Sequence, residues 1–309
     1  MQKMKAAICR QYGSPEVLQI QEVDKPVCKN NEILIKIMAA SVNSGDVRVR
    51  GLAVNGFLKL IMRSALGFFK PRKSILGTVY AGIVEETGKN TNQFNKGDKV
   101  FGITGFKFGA YAEYISIKEK SVVATMPINA SFEEAAALPF GWHTAIYFFE
   151  KSGIKAYKKP AILVYGSTGS VGIAAVQLAQ YFDAELTAVC SSAGKSLMES
   201  LNVKNVIFYD RQDFTKNCKK FDFIFDAAGK ITKRECKKLL NPSGRFITVG
   251  GLDMATEKLA HLQLVKQLFE KGKCKAVVDK QYPFREIIVA NRYVDSGRKK
   301  GDVVMLLAQ

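Results

Sequence analysis

Residues 161–182 read AILVYGSTGSVGIAAVQLAQYF: a short apolar run, a glycine turn, and a run with apolar residues at Val171, Ala174, Ala175, Leu178 and Phe182. The spacing predicts a strand, a tight G-x-x-G-x-x-G turn through Gly166, Ser167, Thr168, Gly169, Ser170, Val171 and Gly172, and an amphipathic helix. In such a turn each glycine has a task. One reverses the chain, one lets a diphosphate approach the backbone, and one lets the helix pack closely on the strand. The helix start then offers unpaired amides and partial positive charge to an anion. A glycine pattern alone is common in loops that bind nothing. Its place between a strand and an amphipathic helix, with a second strand ending about twenty residues on, points to a dinucleotide-binding Rossmann unit.

A site that prefers NADH places Asp or Glu at the tip of that second strand, to hold the ribose 2′-hydroxyl. Here the tip reads Val189-Cys190-Ser191-Ser192-Ala193-Gly194-Lys195, and the acids Asp183 and Glu185 precede the strand. Hydroxyls with Lys195 suit a 2′-phosphate, which a carboxylate would repel, so the cofactor expected is NADPH. A second reading stays open, in which Ser191 and Ser192 only cap the next helix.

The period of the apolar residues divides the rest of the chain. Up to about residue 123 it predicts short strands in MKAAICR, EILIKIMAA, TVYAGIVEE, DKVFGI and AYAEYISI, a β-rich barrel. At Ser131 the capping box S-F-E-E opens a helical stretch to about Lys151, interrupted near Pro139. Strands over 161–165, 185–189, 205–209, 222–229 and 245–251 then alternate with helices, which predicts a parallel, doubly wound sheet. A turn N-P-S-G precedes the last of them, and the final forty or so residues return to short strands, CKAVVD and DVVML, around the helix FREIIVANRYVDSG.

Composition narrows the function classes. Among 309 residues, Lys plus Arg is 46 against 28 Asp plus Glu, a formal net charge of +18 spread along the chain. Spread charge suits solvated faces better than a nucleic-acid stripe, so RNA is a possible partner but not the favoured one. The absence of a long apolar run or a signal-like start leaves no transmembrane segment and predicts a cytoplasmic protein. Six cysteines lie far apart without a C-x-x-C pair, and the two histidines, His143 and His261, leave a metal site short of ligands; no metal is expected.

Further segments carry a family resemblance. They are N-S-G-D-V-R-V-R-G at 43–51, L-G-T-V-Y-A-G at 76–82, K-G-D-K-V-F-G at 96–102, G-A-Y-A-E-Y at 109–114, A-A-A-L-P at 135–139, F-D-A-A-G at 225–229, G-R-F-I-T-V-G at 244–250 and the closing S-G-R-K-K-G-D-V-V. With the glycine turn they resemble the medium-chain dehydrogenase/reductase superfamily, in its zinc-free, ζ-crystallin-like quinone oxidoreductase branch. The resemblance implies an α/β chain of two parts: a GroES-like β-barrel catalytic domain over 1–125, completed by 272–309, and a doubly wound Rossmann domain over 126–271. It also implies an active site in the cleft between them and a homodimer.

By the same resemblance, Asn43 stands beside the nicotinamide ribose and Thr144 against the nicotinamide, the two catalytic candidates. Ser191, Lys195 and Tyr209 match positions that hold the 2′-phosphate. Zinc alcohol dehydrogenases of the superfamily carry metal ligands where this chain has Asn43 and Thr78-Val79, which supply neither thiolate nor imidazole. Three departures concern the pocket: Arg48 replaces an aromatic hydroxyl, Val79 replaces an acid, and Trp142-His143 replaces smaller residues before Thr144.

Several readings remain paired. His143 is either a proton donor or a structural contact. Asp46, Arg48 and Arg50 either orient substrate or form ion pairs. The stretch 57–69, F-L-K-L-I-M-R-S-A-L-G-F-F, leads into Lys70-Pro71-Arg72-Lys73; it roofs a hydrophobic substrate mouth, lies on a membrane surface, or is ordinary packing. The function expected is an NADPH-dependent reductase of quinones or α,β-unsaturated carbonyl compounds, acting on a small hydrophobic electrophile. The alternative is an NADPH-binding, RNA-binding or regulatory protein with little turnover.

Overall fold

In the computed structural model, Lys3–Cys9 (β1) and Leu18–Asp24 (β2) pair antiparallel beside a larger sheet whose spine is Glu32–Val42 (β3). Ile33, Ile35 and Ile37 of β3 are buried, as their alternation predicts. The structure describes residues 2–52, 56–216 and 219–307; Cys218 and the last two residues of the C-terminal segment fall outside them, as do the side chains of Phe57, Leu58, Ile61 and Lys155. Two helices follow, Ser44–Gly51 (α1) and Phe57–Leu66 (α2), then the strands Val79–Thr87 (β4), Lys99–Ile103 (β5), Tyr114–Lys118 (β6) and Val123–Thr125 (β7). β4, β5 and β7 extend the sheet from β3, and β6 also pairs with β3.

Phe132–Ala137 (α3) opens on the capping box: Ser131 Oγ accepts from the Glu134 amide at 3.2 Å, and Glu134 Oε2 accepts from the Ser131 amide at 2.9 Å. Pro139 stands at the first position of Pro139–Ser152 (α4), where its missing N–H costs nothing, so the chain restarts a helix there.

The five-stranded sheet is built from Ala161–Tyr165 (β8), Ser170–Tyr181 (α5), Glu185–Cys190 (β9), Lys195–Ser200 (α6), Asn205–Phe208 (β10), Phe221–Asp226 (β11), Lys233–Cys236 (α7) and Leu240–Thr248 (β12), followed by Leu259–Glu270 (α8). All four strand pairs are parallel in the order β10-β9-β8-β11-β12, the doubly wound arrangement. Two details differ from the sequence reading. The N-P-S-G turn is absorbed into β12 as a bulge, with Leu240 paired to Phe221 and Arg245 to Phe223. α5 is buried from Ser170 to Ala179 rather than on one face, because α4 packs against it and Gln177 is bonded on its far side to the backbone of Lys275.

Val278–Pro283 (β13), Ile287–Asp295 (α9) and Asp302–Leu306 (β14) return the chain to the first sheet, giving it seven strands. β14 lies antiparallel on β3, and β13 parallel on β14. The strand expected over CKAVVD starts later, at Val278, because its partner β14 begins at Asp302. Phe284, Ile287, Ala290, Val294, Val303 and Met305 enter the same core as Ile33, Ile35 and Tyr80. Composition did not indicate where these last residues pack.

Candidate active site

The carboxyl ends of β8, β9, β10 and β11 all point to one edge of the five-stranded sheet, where ligands of such sheets bind. At the end of β8, Gly166 has a φ of +76°, and a Cβ there would lie 2.7 Å from the Ala228 Cβ. A Cβ on Gly172 would lie 2.1 Å from the Gly166 carbonyl oxygen, so glycine alone lets α5 close on the turn. Gly169 is different. Its φ is −80°, and the nearest atom to a Cβ there is 3.7 Å away, so nothing among the described residues requires glycine. An open backbone at the start of a twelve-residue helix is a cradle that a diphosphate fits. Ser167 and Val171 are buried beneath it, and the Ser167 hydroxyl donates to the Val189 carbonyl at 3.2 Å.

The loop after β11 is held by a carboxylate that the sequence reading passed over. Asp226, fully buried, accepts from the amides of Ala228, Gly229, Lys230 and Ile231 and from the Thr248 hydroxyl. It thereby sets Ala228 against Gly166. The signal lay in F-D-A-A-G, an acid followed by small residues.

At the ends of β9 and β10, Ser191 begins a single 3₁₀ turn without a side-chain capping bond, Lys195 is exposed and 3.7 Å from Glu199, and the Tyr209 ring stacks on Tyr165 at 5.8 Å. Between them stands a second missed residue. Asp210 accepts from the Ser192 amide at 2.8 Å and from its hydroxyl at 2.6 Å, bonds that hold its carboxyl below the usual range. The tip of β9 lacks an acid in sequence, but β10 delivers one beside it.

α4 joins this edge to the seven-stranded sheet. A Cβ on Gly141 would lie 2.4 Å from the Ser170 carbonyl, and a Cβ on Gly45 of α1 would lie 3.3 Å from the Phe140 ring. Thr144 is half-buried one turn on, donating to the Phe140 carbonyl at 2.8 Å. Gly45, two residues after Asn43, thus lies against the Phe140 ring, and Thr144 is bonded to the Phe140 carbonyl. Asn43 also has structural duties: its Oδ1 caps α1 by accepting from Gly45 and Asp46 amides, and its Nδ2 donates to Asp46 at 2.8 Å and Thr78 at 2.9 Å. Asp46 further accepts from Tyr111 and Thr78, both at 3.0 Å. Burial pushes its carboxyl up to about 7 against the pull of those bonds.

Of the remaining paired readings, Arg50 follows the ion-pair one, paired with Asp295 and bonded to Asn291 and Gly13, and Arg48 is exposed. His143 is 5% exposed, with Nε2 donating to the Thr256 carbonyl at 2.7 Å and Nδ1 facing His261, so both ring nitrogens are engaged in structure. These contacts anchor residues 249–258, which run on from the carboxyl end of β12 and are tied again by Tyr147 donating to Asp253 at 2.9 Å. A third unforeseen group comes from the C-terminal segment. Lys299 donates to the Ser170 hydroxyl and to the Gly301 carbonyl, and the Gly301 amide donates to Thr168 at 2.9 Å. The Asp302 carboxyl beside it is raised to about 6 by burial.

Among the described residues no group of three His, Cys, Asp or Glu could hold a metal. At Asn43, Thr78 and Val79 the polar atoms present are amide and hydroxyl groups already bonded to Asp46, which do not fit zinc. No helix among the described residues is long and apolar enough to cross a membrane.

Comparison with known proteins agrees with this geometry. Residues 29–128 match the family described as alcohol dehydrogenase GroES-like domain, and residues 170–274 and 252–305 match families described as zinc-binding dehydrogenase. A 2-methylene-furan-3-one reductase of Solanum lycopersicum is 34% identical over 98% of this chain and 79% of its own length. An Arabidopsis thaliana NADPH-dependent alkenal/one oxidoreductase, described as chloroplastic, is 29% identical over the same shares, 98% and 79%. The structure of the quinone oxidoreductase from Coxiella burnetii superposes with a TM-score of 0.86 at 24% identity, covering 99% of this chain and 100% of that one. A chloroplastic relative means that composition does not fix a compartment for this protein. The matched segments, the doubly wound sheet with its glycine turn and the tomato relative's identity across nearly the whole chain lead to one conclusion: the chain belongs to the medium-chain dehydrogenase/reductase superfamily, in its quinone oxidoreductase branch.

Proposed function

We propose that the protein is an NADPH-dependent reductase that transfers hydride to quinones or to alkenes conjugated with a carbonyl, without zinc. One observation carries the reading: Gly169 lies open at the start of α5, and α4, which bears Thr144, packs on α5 and meets, at Phe140, the Gly45 that follows Asn43. In this reading the turn from Gly166 to Gly172 holds the diphosphate. Ser191, Lys195 and Tyr209 hold the 2′-phosphate, and Asn43 and Thr144 orient the nicotinamide end. Bound NADPH supplies the hydride. The division into 1–125 with 272–309 and 126–271 belongs to the same reading, as does a homodimer paired through an edge of the five-stranded sheet.

The chemistry around Asn43 argues for the substrate class. Hydride addition leaves negative charge on the acceptor, and that charge must be stabilised. Asn43, Thr78 and Val79 make no Lewis-acid site, and the Asp46 carboxyl accepts hydrogen bonds from three side chains, Asn43, Thr78 and Tyr111. Acceptors that spread the charge themselves, quinones and enones, need the least from such groups. The names of the tomato and Arabidopsis relatives, a furanone reductase and an alkenal/one oxidoreductase, support this class. Following NADPH absorbance over an acceptor panel tests it. Turnover is expected with a quinone or an α,β-unsaturated ketone and not with saturated aldehydes, nor with alcohols and NADP. Robust alcohol oxidation, or inactivity with every conjugated acceptor, overturns it.

A further inference from the structure

Although the charge is spread over most of the chain, one stretch is an exception. Between Asp46 and Glu85 there is no acidic residue, and the interval holds Arg48, Arg50, Lys59, Arg63, Lys70, Arg72 and Lys73. It includes α2 and the loop that follows. Met62 and Leu66 of α2 pack on the core of the seven-stranded sheet, which leaves Lys59 and Leu60 outward, Leu60 half exposed.

The loop after α2 is closed by hydrogen bonds. The Gly67 amide donates to the Arg63 carbonyl at 2.9 Å, the Arg72 amide to the Leu66 carbonyl at 2.7 Å, and the Tyr12 hydroxyl to the Gly67 carbonyl at 2.7 Å. Gly67 has a φ of +125°, and a Cβ there would lie 2.1 Å from the Lys70 carbonyl, so the turn needs glycine. Its effect is to hold Phe68 and Phe69 outward at 49% and 86% exposure, packed edge to face on one another. Lys70, Arg72 and Lys73 are exposed immediately beyond. Two phenylalanines exposed together are unfavourable in water, and their loop is built to keep them there.

We propose that α2 and the loop through Lys73 form a docking surface for an anionic lipid bilayer. Phe68, Phe69 and Leu60 enter the interfacial layer, and Lys59, Lys70, Arg72 and Lys73 lie against phosphate and carboxylate headgroups. A bilayer offers both halves of the complement at once, a negative plane with an apolar layer beneath it. A nucleic acid strand offers the negative charge but has no use for Leu60, and Phe68 and Phe69 meet at 67° rather than presenting parallel faces for bases. The inference does not depend on the reaction assigned above.

The test is flotation of the full chain with vesicles of phosphatidylcholine alone or mixed with phosphatidylserine. Binding is expected only to the mixed vesicles, and it should weaken as salt rises. The paired change Phe68→Ser with Phe69→Ser should weaken it about tenfold or more, and Lys70→Glu with Lys73→Glu at least as much. The same charge change at exposed Lys237→Glu with Lys238→Glu is the control and should have little effect. The thermal midpoint of each variant reports its folding. Failure to bind mixed vesicles overturns the proposal. So does equal binding to both vesicle types, or equal loss in the control. A phenylalanine pair that binds like the parent would show a contact of net charge only, and binding of a single-stranded RNA oligonucleotide in place of vesicles would make the surface a nucleic-acid site; each also overturns it.

Discussion

His143 and His261 face each other through their Nδ1 atoms at 3.3 Å, the middle contact of a chain that runs from the Thr256 carbonyl to the Glu150 carboxylate. Both outer partners are oxygens that accept, a carbonyl and a carboxylate, so His143 and His261 each carry hydrogen on Nε2. Burial raises the Glu150 carboxyl, but bonds from His261 and Lys258 outweigh it and hold the group below its usual range. Because the chain has only two histidines, ¹⁵N resonances of the rings can be assigned directly. His143 is expected as the Nε2–H tautomer; an Nδ1–H tautomer would contradict the arrangement.

Both ring nitrogens of His143 are engaged, so a further proton is disfavoured there, and acid should expose that. Burial, and then the charge of His261, push the His143 pKa down to about 4 from an ordinary 6.5. Between those values the unfolded chain binds more protons at this position than the folded one, so its stabilising contribution is full above about pH 6.5 and falls as pH drops towards 4. The expected loss on reaching pH 4 is about 3 kcal/mol. Asp46 and Asp302, with raised values, give the opposite slope over part of the range, so the reading is the difference between parent and His143→Gln in unfolding midpoint against pH. Parallel curves would contradict it.

The glycines of the turn should separate folding from cofactor binding. Gly172→Ala forces a Cβ onto the Gly166 carbonyl and should destabilise the protein by about 3 kcal/mol. Gly169→Ala meets nothing nearer than 3.7 Å, so it should fold with an unchanged thermal midpoint and lose roughly tenfold or more in NADPH affinity. Fluorescence titration and calorimetry distinguish the two. Full NADPH affinity in Gly169→Ala would place the diphosphate elsewhere.

NADPH should bind more tightly than NADH, and Lys195→Ala should erase most of the difference. Asp210 complicates the same pocket, since its carboxylate holds the Ser192 hydroxyl and would repel a 2′-phosphate. Asp210→Asn is therefore expected to strengthen NADPH binding by about threefold to tenfold and leave NADH nearly unchanged. Equal gains for both cofactors would show that the residue does not face the phosphate.

Asn43 and Thr144 should behave differently on substitution. Asn43→Ala removes the cap of α1 and two donors from the buried Asp46 network, and should lower stability by at least about 1 kcal/mol as well as turnover. Asn43→Ser restores a cap and part of the stability but not the turnover. Thr144→Val keeps shape and loses only the hydroxyl bond to Phe140, so turnover should fall about tenfold with little change in midpoint. If Asn43→Ser recovers full turnover, the residue serves only as a cap.

Elemental analysis is expected to find no stoichiometric zinc, and activity should survive a chelator, because the groups at Asn43, Thr78 and Val79 are neutral and already bonded. About one zinc per chain, with loss of turnover on chelation, would reverse this.

The sequence by itself determined what short-range physics encodes. The glycine turn, the Ser131 capping box, the break at Pro139 and the alternation of strands with helices all depend on residues within a few positions of one another, and the structure has them where the pattern put them. Only the tertiary structure decided which distant groups meet. Asp210 reaches Ser192 because β10 lies beside β9 in parallel register, which moves an acid to a strand tip that lacks one. Lys299 reaches Ser170 across 129 positions, and His261 reaches His143 across 118. Such contacts leave no periodic trace. Each rests on single polar residues whose partners are set by sheet order and helix packing, and only burial, which makes an unpaired polar group costly, fixes the pairing.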